Sequence, residues 1–249
     1  MDIGSDYMKK QKLLFIGLSI LCVVAAILAY LKITSNTVSE DALKFKEEYE
    51  SLNGVEVYEG LKYSDIKISK DNPIKYSDYE ELLDIIENKS GIIYLGFPGC
   101  PWCRSALPVL LDVAKDNEIN TIYYLNILNE RDSYVVEDGE LVYQLDEEGN
   151  EKKGTKGYFK LLKALDKHLT DYVVSFEGKE YKTGEKRIYA PTVIFVRNGK
   201  VLGLHVSTVE SQKSGFDKMT KEQTEELYGI YEDYILEMKN ASCSKDDAC

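Results

Sequence analysis

Histidine is nearly missing from this chain, with two residues in 249, His168 and His205. They stand apart and share no ligand spacing, so they read as ordinary surface or strand residues. Tryptophan occurs once, and proline and cysteine five times each. Positive charge is short as well: 31 Lys and Arg face 43 Asp and Glu, a net charge of −12. Residues 1–12 hold three Lys and two Asp, and Lys32 adds one positive charge, so residues 33–249 carry −14. Such a surface argues against nucleic acid or an anionic membrane as partner and is read as a solubility feature.

Long apolar runs are also scarce; one stands out. Residues 13–31 form a 19-residue stretch without a formal charge. At about 1.5 Å rise per residue it nearly crosses a hydrocarbon core of about 30 Å. Lys9, Lys10 and Lys12 precede it, whereas only Lys32 follows before Glu40 and Asp41. The positive-inside rule therefore predicts residues 1–12 in the cytoplasm, a single-pass anchor over 13–31, and the remainder extracytoplasmic. A cleaved signal peptide is the rival reading, but the apolar region is long and no small-x-small site closes it. Cys22, preceded by bulky Ile20 and Leu21, reads as an apolar filler rather than a lipidation site.

An external domain also suits the remaining cysteines, Cys100, Cys103, Cys243 and Cys249, which form two local pairs. An oxidising compartment permits both as disulfides. In Cys100-Pro101-Trp102-Cys103 the spacing at a helix start puts both sulfurs within disulfide reach. It also places Cys100 at the helix N-terminus, where free N–H groups and the helix dipole favour a thiolate. The thiolate is the form that attacks disulfides.

The chain around this pair predicts an α/β fold. Residues 32–54 read as a linker followed by a charged amphipathic helix closed at Asn53-Gly54. A strand is expected near Asp65–Ile68. Ser77 with Glu80 forms a capping-box pattern opening a helix over 78–89. Ile92–Phe97 is a buried strand, and the cysteine pair opens the next helix, with Pro101 suited to its first turn and Pro108 inside it. Thr121–Asn126 is another strand. Residues 127–189 form a long insertion, with a hairpin near 135–145 and a helix near 157–168. A strand follows Pro191, Asn198-Gly199 is a hairpin turn, and Lys200–Ser207 returns. Thr220 and Gln223 cap a last helix whose stripe of Leu227, Tyr231, Tyr234, Ile235 and Met238 is read as core. The tail from 240 is polar and expected to be flexible. The sheet carries helices on both faces.

With these elements in order, the chain resembles the thioredoxin superfamily over residues 55–239. Four features carry the likeness: Cys100-x-x-Cys103 between a buried strand and a helix, Pro108 five residues later, Pro191 just before the hairpin, and the closing helix. More narrowly, it looks like the membrane-anchored thioredoxin-like proteins of Gram-positive bacteria labelled bacteriocin transport accessory proteins. That likeness rests on residues 45–54 (FKEEYESLNG), 96–103 (GFPGCPWC), 124–127 (YLNI) and 189–192 (YAPT).

The resemblance implies a thioredoxin-like fold with an insertion before a cis-proline hairpin, no cofactor beyond the redox-active pair, and a thiol–disulfide oxidoreductase. Its expected partners are protein thiol or disulfide substrates and a membrane or envelope redox protein. Cys100 is implied to be the exposed nucleophile and Cys103 the buried resolving thiol. Pro191 is implied to be cis, with the Ala190–Pro191 backbone open to a substrate strand. Trp102 is either an apolar substrate contact or a packing residue. The chain departs from thioredoxin at Tyr94, where the family has a buried acid six residues before the first cysteine, and at the Pro101-Trp102 dipeptide. Cys243 and Cys249 are either an exposed tail disulfide or a second redox pair. A Cys₄ zinc site and a non-catalytic accessory module of a secretion system are the competing functions.

Overall fold

The computed structural model describes residues 22–24 and 38–239. Residues 22–24 are helical and exposed. The predicted cytoplasmic segment 1–12, the rest of the 13–31 anchor and the 240–249 tail with Cys243 and Cys249 lie outside the described residues. Among the described residues no helix is long and apolar enough to cross a membrane.

The main compact unit begins at Glu40 rather than at residue 55. Its first helix, α1 (Glu40–Glu50), buries Ala42, Phe45 and Tyr49. The spacing of these three residues aligns them on one helical face. Phe45 and Tyr49 join the same apolar core as the cysteine pair. The helix expected ahead of residue 55 is therefore part of the fold.

A small ladder of β1 (Glu56–Tyr58) and β2 (Leu61–Lys62) follows. The strand expected near 65–68 does not form. Ile66 and Ile68 are buried, but their N–H groups bond to side chains: Ile66 N to Asn53 Oδ1 at 3.1 Å and Ile68 N to Glu50 Oε1 at 2.7 Å. With those donors already satisfied, the segment has no call for a ladder partner. The strand is instead β3 (Ile74–Tyr76). Helix α2 (Tyr79–Asn88) is capped by Asp78, which accepts from Glu81 N at 2.9 Å, one residue beyond the expected cap. Ser77 is diverted to the Glu81 side chain at 2.9 Å.

Then come β4 (Gly91–Gly96), α3 (Pro101–Asp116) and β5 (Ile122–Asn126). Helix α3 runs through Pro108 without interruption. The insertion holds a hairpin of β6 (Tyr134–Glu137) and β7 (Glu140–Tyr143), then α4 (Lys156–Leu165) with a short 3₁₀ turn (Asp166–His168). It ends in a second hairpin, β8 (Thr170–Phe176) and β9 (Lys179–Arg187), which the polar pattern of β9 concealed. The chain returns through β10 (Thr192–Arg197) and β11 (Lys200–Val206) to α5 (Lys221–Lys239). Thr220 and Gln223 cap α5 reciprocally, at 2.9 and 3.2 Å.

The result is a mixed α/β architecture around a five-stranded sheet in the order β11-β10-β4-β5-β3. Strands β3, β5 and β4 are parallel, and β10 runs antiparallel to both β4 and β11. Central β4 is almost wholly apolar because both its faces are covered. Ile92 and Tyr94 face one core, with α1, α3 and α5, while Ile93 and Leu95 face the other, with α2 and α4. The period-2 alternation of one strand thus serves two layers. At the β10–β11 turn, Asn198 and Gly199 take φ +49° and +71°, the left-handed pair that the hairpin demands.

Candidate active site

The end of β4 delivers the cysteine pair. After Gly96 the chain turns through Pro98 and Gly99, and Tyr63 steadies that turn by donating to Gly99 O at 3.0 Å. Cys100 is the N-cap of α3, with extended φ/ψ, and its Sγ accepts the Cys103 N–H at 3.1 Å. A sulfur in this position takes one of the free first-turn N–H groups and sits at the positive end of the helix dipole. Pro101 occupies the first turn, where a missing N–H costs nothing.

Cys100 and Cys103 are both free thiols. Cys103 is fully buried and Cys100 is only 5% exposed. Both sulfurs are therefore covered, and Cys100 is not the openly exposed thiol that was expected. One contact reaches the sulfur itself and another packs on the two residues that follow it. Ala190 O lies 3.4 Å from Cys100 Sγ, and the segment at Gly215 packs on the backbone of Pro101 and Trp102. A Cβ at Gly215 would come within 2.7 Å of Trp102 N, so that close approach depends on glycine.

The Ala190–Pro191 bond is cis, and Pro191 begins the turn into β10 opposite the cysteines. The carbonyls along this segment are engaged: Tyr189 O accepts from Thr192 Oγ1 at 2.6 Å, Ala190 O from the Cys100 thiol, and Pro191 O from Ser207 N at 2.8 Å. The expected open backbone is thus reduced on its carbonyl side. A thiolate has no proton to donate, so ionising Cys100 releases the Ala190 carbonyl. Trp102 is half-buried and packs partly against the core that α3 and α5 share.

Electrostatics separates the two sulfurs. Cys100 is held below the usual thiol value, first by a hydrogen bond from the Cys103 side chain. The Cys103 N–H and the Arg131 charge add to this, against the opposing effect of burial. Cys103 is pushed well above the usual value, first by burial and then by the neighbouring Cys100. The outer sulfur is therefore the readier nucleophile, and the inner one holds its proton. Chemically, the pair can attack a disulfide with one sulfur and close with the other.

Three contributors escaped sequence reasoning. Arg104 is 1% exposed and donates to Tyr49 O at 2.7 Å, Ser64 O at 2.8 and 3.1 Å, and Asn53 Oδ1 at 2.6 Å. It ties α1 and the following loop to the first turn of α3. The signal was present: Arg104 stands in helical register with Leu107 and Leu111, a charge on the apolar stripe. Tyr49 donates to or accepts from Tyr94 through their hydroxyls at 3.0 Å. Its own signal was the spacing from Phe45. Arg131, from the loop after β5, lies over the Phe97 ring at 5.1 Å, and nothing in its local sequence marks it.

Among the described residues, no three or more His, Cys, Asp or Glu side chains converge as a metal site. Comparison with protein-family models and with curated proteins gives no match.

Proposed function

We propose that this protein is a thioredoxin-like thiol–disulfide oxidoreductase, tethered to the membrane by residues 13–31 and working on the extracytoplasmic side. The observation that carries the reading is the paired environment of Cys100 and Cys103. One sulfur caps a helix with its thiolate favoured, the other is buried with its proton retained, and a cis Ala190–Pro191 bond lies against the first. The sheet order, with two parallel neighbours, an antiparallel hairpin and helices on both faces, supports the thioredoxin-like assignment.

In this reading Cys100 attacks a substrate disulfide and forms a mixed disulfide, and Cys103 then displaces the substrate thiol. The reverse sequence transfers a disulfide to a dithiol substrate. No organic cofactor is needed, and electrons pass to or from another envelope protein. The apolar segment 13–31 with its flanking lysines supports the tethered, outward-facing placement.

The test is equilibration of the purified full chain in a series of glutathione redox buffers, with disulfides mapped by mass spectrometry. A reversible Cys100–Cys103 disulfide is expected. Cys100→Ser should abolish exchange, and Cys103→Ser should accumulate mixed disulfides with envelope proteins. Full cellular function of the Cys100→Ser protein would instead mark an accessory module, and stoichiometric zinc after reducing purification would mark a metal site.

A further inference from the structure

Behind Cys103 lies a cluster of tyrosines from four elements. Tyr94 comes from β4, Tyr124 from β5, Tyr49 from α1 and Tyr231 from α5, and all four are fully buried. Tyr94 and Tyr124 stack at 5.5 Å between centroids, and Phe45 abuts both. The hydroxyls of Tyr49 and Tyr94 meet at 3.0 Å. Gly96 is a common neighbour of Tyr94 and the Cys103 sulfur. A Cβ built there would lie 2.8 Å from the Tyr94 hydroxyl and 3.1 Å from Cys103 Sγ, so both atoms border one methyl-sized space.

We propose that Tyr94, oriented by Tyr49, is the hydrogen-bond donor that stabilises the Cys103 thiolate while Cys103 resolves the mixed disulfide. The inference rests on the redox reading above. In this step Cys103 gives its proton to solvent, and its sulfur attacks Cys100 Sγ of the Cys100–substrate disulfide. The Cys100–Cys103 bond forms and the bond to the substrate sulfur breaks. The substrate leaves with the electron pair as a thiolate and takes up a proton, so the cysteine pair is oxidised and the substrate reduced. Tyr94 keeps its proton throughout.

The surroundings favour a donor over a base. Burial holds both the Tyr94 and the Tyr49 hydroxyl far above the ordinary tyrosine value, so neither gives up a proton near neutral pH. The facing Tyr94 hydroxyl acts on Cys103 in the direction that favours its thiolate. The other titratable or charged groups facing Cys103 are Cys100 on its own helix, Tyr124, Tyr231 and Arg131. One acid acts on this cluster, Glu48, which accepts from Tyr76 at 2.6 Å and bears on Tyr124. Tyr231 is the rival donor, because its buried hydroxyl has no partner.

The experiment uses the full chain with serine at Cys22, Cys243 and Cys249, reacted with dithiobis-nitrobenzoate in a stopped-flow instrument. Attack by Cys100 releases one thionitrobenzoate, and closure by Cys103 releases a second. Cys103→Ser marks the first phase alone. In Tyr94→Phe the first phase should be unchanged. The second should slow about ten- to hundredfold, the worth of one hydrogen bond to a charged group, and its pH midpoint should rise. Tyr49→Phe should slow the second phase several-fold, and it decides the matter if Tyr94→Phe does not fold. An unchanged second phase in the deciding variant, or slowing by Tyr231→Phe instead, overturns the proposal while leaving the redox reading intact. Absence of a second phase in the parent chain overturns the redox reading itself.

Discussion

Replacing Arg104 by methionine should lower stability by about 2–4 kcal/mol, a large share of the roughly 5–15 kcal/mol that holds a domain folded. The size follows from the acceptors left behind. Ser64 O receives two bonds from the guanidinium. Orphaning a fully buried carbonyl costs about 1–3 kcal/mol, and half-buried Ser64 falls at the lower end of that range. Tyr49 O keeps a weak second donor, Leu52 N at 3.4 Å, and Asn53 Oδ1 keeps Ile66 N at 3.1 Å. Each of those losses is therefore nearer the net worth of an ordinary hydrogen bond, about 1 kcal/mol. Working against these terms, methionine removes a charge whose burial is itself unfavourable. That burial already lowers the affinity of Arg104 for its proton. In urea, with a slope of about 1–3 kcal/mol per molar, the midpoint should fall by about 1–2 M. Arg104→Lys keeps the charge but cannot span the acceptors, so its midpoint should lie between the two. A methionine variant within about 0.3 M of the parent would show that the clamp adds nothing net.

Further outcomes concern the hairpin turn and the two thiols. Gly199→Ala forces a side chain into a backbone at φ +71° and drives its Cβ into the Glu87 carbonyl. It should cost about 2–3 kcal/mol, seen as a melting temperature lower by about 5–10 °C, whereas Asn198→Gly should move it little. In the reduced protein, alkylation against pH should show Cys100 reacting with a midpoint below the ordinary thiol value of about 8.5 and Cys103 above it. The sign follows from the forms favoured: a stabilised thiolate reacts at lower pH, and a buried thiol waits for higher pH. Arg131→Gln should raise the Cys100 midpoint by removing a nearby positive charge, and midpoints in the inverted order would refute the electrostatic account.

Much of the fold was legible because its signals are local. The β4 run, the Asn198-Gly199 turn, the Thr220–Gln223 cap and Pro101 at a helix start each express a preference of a few adjacent residues. The misreadings occurred where a distant group settled a local choice. Residues 65–68 are extended and apolar, as a strand would be, but Asn53 and Glu50 supply the bonds that a neighbouring strand would have supplied. Helix α1 was legible as amphipathic but not as part of the same core, because amphipathicity shows that a helix has an apolar face and not which surface covers it.

The same division runs through the site. Spacing along one chain was enough to put two cysteines at a helix start after a buried strand, with a proline-led hairpin to follow. How far Cys100 is covered, that Ala190 O meets its sulfur, and that the neighbourhood of Cys103 is built from tyrosines of four separate elements emerge when the elements pack together. Burial and through-space charge depend on residues that meet only when the sheet and its two helical layers assemble, so no pattern within a single segment could have disclosed them.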